Sequence, residues 1–417
     1  MKKNYILLHF ILNFLLFPVM AQSNQAITAI GQNKTKSIKE PCATHLIHNK
    51  LMQTDSEYKN RILANEETIQ TIIQQQQNNR AAAPIYTIPV VVHVIHTGQA
   101  IGTGVNISDA QIFSAITALN QDYRKMAGTN GFGTGVDSEI EFCLAVRDPN
   151  GQASTGILRV NGSSVTNYST QGITAGQGSG ANETTVKALS KWPNTSYYNI
   201  WIVNEIENNN GGSGIQGYAY YPGAGSAVDG AVIMFNAFGT TGNLKSYTNR
   251  NRVATHEMGH GFNLMHTFEG ASCTQTNCST QGDLCCDTPP HLGNNTSCTT
   301  RECTNTQQVE NYMDYTSETC QNMFTSDQKN RMRAAISGTR ASLLTSLGCT
   351  PVYTLDAGIS DVISPTPSTC ATTLNPVVTL RNFGSTTLTS AAINFNIDGG
   401  TNQVYNWTGS LATNLTV

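Results

Sequence analysis

The chain has 417 residues, a formal net charge of −3 and only 12% charged residues, with Asn, Thr, Ser and Gly abundant. That length accommodates two folded domains plus processing segments. The charge balance leaves no basic footprint for nucleic acid and no acidic tail.

At the N-terminus Lys2 and Lys3 precede an apolar stretch, residues 5–20, and Val19-Met20-Ala21 forms a small-residue cleavage site. This reads as a secretory signal peptide spanning residues 1–21, and not as a membrane anchor, because His9, Asn13 and Pro18 interrupt a short apolar core. No later run is apolar enough to span a bilayer. Residues 22–80 are polar, but Ile62, Ile69, Ile72 and Ile73 recur at helical spacing and predict an amphipathic helix. An apolar strand at residues 88–92 then opens a new domain. Ser108-Asp109-Ala110-Gln111 is a capping box for a helix whose buried stripe is Ile112, Phe113, Ile116, Leu119 and Tyr123. Strands are expected at 139–146, 199–203 and 231–238, with a Gly- and Asn-rich loop at 208–230. The strand at 231–238 is a candidate edge for pairing with an extended peptide. Thr325 and Gln328 cap a last helix with Met332 and Ile336 on its inner face. The fold class is α+β, a mixed sheet with two main helices over a loop-rich lower part. From about residue 350 to 417 the texture becomes Thr-, Asn- and Pro-rich, with alternation at Ile393, Phe395 and Ile397 and a turn at Asp398-Gly399-Gly400. This reads as a β-sandwich module, incomplete because only about three or four strands are visible where about seven are needed.

The run from His256 to His266 carries the chemistry. His256 and His260 are four residues apart, so on a helix both imidazoles project from one face and reach a single ion. Glu257 stands beside the first of them, placed to take a proton from a water held at zinc. His266 is the natural third ligand, but six residues past His260 is about 600° of helical rotation. The helix must therefore end and turn sharply first. Gly261 is available for that turn, and so is Asn263, which tolerates a positive φ better than most residues. His93 and His96 are poor metal partners, since an odd spacing on a strand puts them on opposite faces.

With these landmarks the chain resembles the metzincin metallopeptidases, and within them the pappalysin family with its bacterial, cytophagalysin-like branch. The resemblance extends to His266-Thr267-Phe268-Glu269-Gly270, Gly282-Asp283, Asp287-Thr288-Pro289 and Asn311-Tyr312-Met313-Asp314-Tyr315. Residues 88–93 and Ile140-Glu141-Phe142-Cys143 look like the family's N-terminal strands, and coverage is roughly residues 40–340. The resemblance implies a metzincin-like catalytic domain at 81–345, a pro-segment at 22–80, and a secreted zinc endopeptidase acting on proteins or peptides. It makes Met313 the apolar floor beneath the metal and Tyr315 the residue that steadies the oxyanion. It makes Glu318 the acid that selects Arg or Lys after the scissile bond (P1′). Cys42 becomes a zinc-binding thiolate that keeps the precursor latent, with a structural disulfide as the competing reading. Under a preference for Arg, Asn79-Arg80 is a self-processing bond. Asp283, Asp287 and Thr288 resemble a calcium loop.

Seven of the eleven Cys fall between 273 and 320, which in an exported chain reads as disulfide stapling. Family likeness implies the bridges Cys273–Cys303 and Cys298–Cys320, leaving Cys278, Cys285 and Cys286 open. Two rivals stand beside the endopeptidase: an inactive protease-like adhesion or binding protein, and a zinc site with Glu269 as third ligand in place of His266. The sequence carries no sign of the oligomeric state.

Overall fold

The computed structural model describes residues 41–77, 84–365, 373–397 and 399–417. The signal segment, the Asn79-Arg80 bond, Cys370 and Asp398 lie outside them. In chain order the elements are α1 (Thr44–Thr54), α2 (Ser56–Gln77), β1 (Tyr86–His96), α3 (Asp109–Tyr123), β2 (Ile140–Leu144), β3 (Ile157–Asn161) and α4 (Tyr168–Gln171). They continue with α5 (Glu183–Ala188), β4 (Tyr198–Val203), β5 (Gly217–Ala219), β6 (Ala231–Met234), α6 (Arg252–Gly261) and α7 (Ser326–Ser337). Four strands follow: β7 (Ala357–Ser364), β8 (Val377–Asn382), β9 (Leu388–Phe395) and β10 (Gln403–Leu411).

β1 is buried without a break from position 88 to 95, as befits a strand with neighbours on both edges and layers on both faces. The sheet order is β2-β1-β4-β6-β5, and β3 extends the β2 edge of β1. All pairings are parallel except that of β5 with β6. Two expectations are corrected here. The strand expected over 231–238 stops at Met234, turns through a 3₁₀ segment at Phe235–Ala237, and is an interior strand. The last strand in the sheet order is instead β5, inside the stretch read as a loop. His93 is buried in the core, with its ring nitrogens 2.9 Å from Ser190 Oγ and from Asn199 Oδ1.

One apolar core unites the sheet with α3 and α6 through residues such as Val92, Ile112, Leu119, Ile200, Met258 and Phe262. Ser108 caps α3, accepting from Gln111 N at 3.2 Å, and Thr325 and Gln328 form a reciprocal capping box on α7. α2 packs on α7, with Ile69 buried against Ala334 and Ala335. The lower, loop-rich part is stapled by Cys273–Cys303, Cys298–Cys320 and Cys278–Cys286, while Cys143–Cys349 ties β2 to the chain beyond α7. Among the described residues, Cys285 is buried and unpaired. The C-terminal strands form two antiparallel pairs, β7 with β8 and β9 with β10, around Leu380, Leu388 and Leu411. Arg381 lies over the Phe113 ring of α3 at 4.9 Å.

Candidate active site

α6 is fastened at both ends before any chemistry is considered. At its start the buried Arg252 guanidinium meets Asp122 Oδ2 of α3 at 2.5 Å, and Thr255 Oγ1 donates to the same oxygen at 2.6 Å. At its end Arg340 Nε donates to Gly261 O at 2.7 Å while its other nitrogens grip Asp229 at 2.7 and 2.9 Å. The exit is a Schellman turn: Asn263 N donates to His260 O at 2.9 Å and Leu264 N to Gly259 O at 3.0 Å. Asn263 adopts the left-handed conformation (φ 73°) that the spacing of His266 requires. Gly261 serves a different purpose from the turn expected of it. It ends the helix proper, and a Cβ there would lie 2.0 Å from Tyr198 Oη.

The turn brings His266 back to the other two histidines. The three Nε2 atoms are 3.0–3.1 Å apart, and all three rings are buried. His256 Nδ1 donates to Tyr312 O at 2.8 Å and His260 Nδ1 to Leu264 O at 2.7 Å, since carbonyls only accept. Their Nε2 atoms therefore present lone pairs to one another, an arrangement that is repulsive without a shared cation. Burial lowers the pKa of His256 to about 4, which keeps the ring neutral and able to ligate. Three imidazoles at this spacing suit one tetrahedral ion, whose ligands lie about 3.3 Å apart, and zinc favours such donors. Beneath them Met313 is fully buried, and a Cβ on Gly259 would fall 2.5 Å from its sulfur.

The N-terminal segment enters this site. Cys42 bridges to Gly217 of β5 in parallel register, and Gln216 N donates to Pro41 O at 2.6 Å. Cys42 Sγ lies within 4.8 Å of all three Nε2 atoms and donates to Glu257 Oε2 at 3.4 Å. Thr44 Oγ1 donates to the same oxygen at 3.2 Å. Burial pushes the Glu257 carboxyl up to about 8, against the pull of these two hydrogen bonds. Tyr315 faces His266, with ring centroids 4.8 Å apart, and its hydroxyl is 3.4 Å from Cys42 O. Glu318 lines a cavity of about 370 Å³ together with Pro41, Gln216, Tyr247, His256 and Glu257. Its Oε2 accepts from Arg250 N at 2.7 Å, whereas its buried Oε1 meets no donor within full hydrogen-bond geometry among the described residues. Burial raises its pKa, opposed by backbone amides of residues 250, 252 and 253 at the start of α6.

Other expected residues lie apart. Thr288 Oγ1 lies 2.7 and 2.8 Å from the two Asp283 oxygens, to one of which it donates, and burial lifts the Asp283 carboxyl to about 7. Asp287 Oδ2 instead accepts from Asp327 N at 3.0 Å, capping α7. Among the described residues, two groups place three or more His, Cys, Asp or Glu donors within 4.8 Å, and neither includes these acids. Glu269 does not join the three-histidine cluster; its Oε2 lies 3.2 Å from His45 Nδ1. Sequence reasoning missed Thr44, His45 and Gly217. It also missed Glu66 of α2, whose carboxylate grips the buried Arg331 at 2.8 and 2.9 Å and accepts from Asn263 Nδ2 at 3.3 Å.

Comparison with known proteins agrees with this geometry. Residues 180–337 match the family model described as pregnancy-associated plasma protein-A. The structure of a mutant of Tannerella forsythia promirolysin is 30% identical, with 73% of this chain and 97% of that one covered and a TM-score of 0.57. The chain belongs to the pappalysin family of metallopeptidases. Tannerella forsythia mature mirolysin, solved with a cleaved peptide, is 33% identical over 63% of this chain and 97% of its own, with a TM-score of 0.50. An extracellular metalloprotease of Pyricularia oryzae is 28% identical over 265 residues, 61% of this pappalysin and 76% of that relative. The metal implied by the family is zinc, and the substrates are proteins or peptides. No helix among the described residues is long and apolar enough to cross a membrane.

Proposed function

We propose that the chain is an exported zinc endopeptidase made as a latent precursor, with His256, His260 and His266 as the metal ligands. The convergence of three neutral Nε2 atoms beside Glu257 carries this reading. When bound, zinc supplies Lewis acidity and makes water a nucleophile near neutral pH. Glu257 takes the proton of the attacking water and passes it to the leaving amine. Tyr315 directs its hydroxyl at the oxyanion once the Cys42 carbonyl has left, and Met313 supports the ligand helix from below. Zinc uptake is expected to survive Glu269→Ala and to be lost in His266→Ala; metal analysis of the two purified variants decides between the ligand sets.

In this reading residues 1–21 are the signal peptide, 22–80 the pro-segment, 81–345 the catalytic domain and 350–417 an accessory β module. Cys42 Sγ, beside the three histidines, would be a further ligand to a bound zinc until the pro-segment leaves. The larger share of this chain covered by the promirolysin structure than by mature mirolysin supports this division. Export is supported by the extracellular metalloproteases among the relatives. A calcium ion beside Asp283, Asp287 and Thr288 rests on family likeness and on the buried Asp283 carboxylate.

Glu318 sets the P1′ preference, because its carboxylate lines the cavity beside the three histidines and offers a guanidinium a charged acceptor there. The deciding experiment digests a peptide library with the activated chain, with and without a chelator. Cleavage before Arg or Lys that disappears on chelation is expected, and Glu318→Gln should lower that preference roughly tenfold, the weight of one charge-assisted pair. An inert chain would return the binding-protein reading.

A further inference from the structure

The path of the N-terminal segment orders the cleft. Pro41 borders the cavity that holds Glu318, Cys42 sits at the three histidines, and three residues on His45 reaches Glu269. The two carboxylates thus flank the metal centre from opposite ends of one path. If the Glu318 cavity takes the side chain after the scissile bond, Glu269 lies on the amino-terminal side of that bond.

Glu269 is firmly placed there. Its backbone N–H donates to His266 O at 2.9 Å, and the preceding Phe268 ring stacks on His266 at 4.7 Å and 6°. The carboxylate is partly open, at 21% side-chain exposure, with His45 of the pro-segment at 3.2 Å. A second pro-segment imidazole, that of His48, lies within the field of the same carboxylate. The segment occupying the cleft therefore places two imidazoles beside Glu269, that of His48 kept neutral by burial, and its departure leaves the carboxylate open to whatever lies there next.

We propose that Glu269 is a second specificity-determining residue, selecting a Lys or Arg side chain one or two residues before the scissile bond. Joined to Glu318, it makes the preferred substrate a peptide that is basic on both sides of the cut. This inference rests on the endopeptidase reading and on Glu318 as the P1′ acid.

The test uses the full chain after activation and fluorogenic peptides that share Arg after the scissile bond. They differ only in the two residues before it, which are Lys, norleucine or Glu. Wild type should favour Lys over norleucine roughly twofold to fivefold in kcat/KM, as suits one partly exposed ion pair, and should disfavour Glu. E269Q should flatten the series and E269K should reverse it, while the ratio within each variant corrects for any general loss. A flat wild-type series, or a Lys preference that persists in E269Q, overturns the proposal and leaves the endopeptidase intact. Failure of wild type to cut any of the peptides overturns both. Because the wild-type series alone can reject the idea, a variant that folds badly does not protect it.

Discussion

Replacing Glu257 with Ala is expected to lower kcat/KM on a peptide by about 10²- to 10⁴-fold, the usual contribution of a positioned general base. The three histidines should still take up zinc, because Glu257 shares no hydrogen bond with them. Its side-chain partners are Cys42 and Thr44, both in the N-terminal segment proposed to leave on activation, so the histidines are expected to keep their geometry without it. Gly217 packs against this side chain so closely that a Cβ would lie 2.9 Å from Glu257 Cγ, which helps fix where the carboxylate points. Steady-state kinetics paired with metal analysis is the measurement. A variant that retained zinc and full activity would remove Glu257 from the mechanism; one that lost zinc would make it structural.

Cys42→Ala should produce a precursor that hydrolyses peptide before any processing, at least about tenfold faster than the unprocessed wild type, equivalent to the loss of about 1.4 kcal/mol of closure. Two effects add at this position. The thiol lies within 4.8 Å of the histidine donor atoms, where on the proposed reading it would compete for a bound metal, and it also occupies the acceptor oxygen of Glu257. Removing it frees both, although Thr44 still reaches Glu257 and limits the gain. A quenched peptide added to the full-length variant, with its intactness checked by mass spectrometry, reads the effect directly. Equal silence of variant and wild type would place latency elsewhere in the segment. The sequence's competing idea, a disulfide at Cys42, has no support among the described residues, where this cysteine is unpaired.

The part of the site that was legible in the sequence is the part governed by local geometry. The i, i+4 histidines and the need for a break before His266 follow from helical rotation alone, and Asn263 adopts the conformation that this argument demanded. The bridges Cys273–Cys303 and Cys298–Cys320 came from family likeness, whereas Cys143–Cys349 joins residues 206 apart in sequence and left no local signature. β5 escaped because three residues between glycine-rich turns carry too little alternation to register as a strand. Its neighbour β6 looked like an edge because a strand's position in a sheet depends on partners far away in the chain. Glu66 and Arg331 were invisible for a related reason: each reads as an ordinary polar residue of its own helix, and only their meeting across 265 positions gives them a role.

On the proposed reading, that meeting makes the N-terminal segment a bivalent ligand. Cys42 holds it at the three histidines and Glu66 holds it at Arg331, and the two are joined by α1 and α2 with only Asp55 between the helices. If the thiol alone let go, the Glu66 anchor would keep it near the histidines at an effective concentration set by this connection, so that it would return before the segment escaped. Brief openings would then be silent, and release would be an avidity problem in which both grips must be lost together.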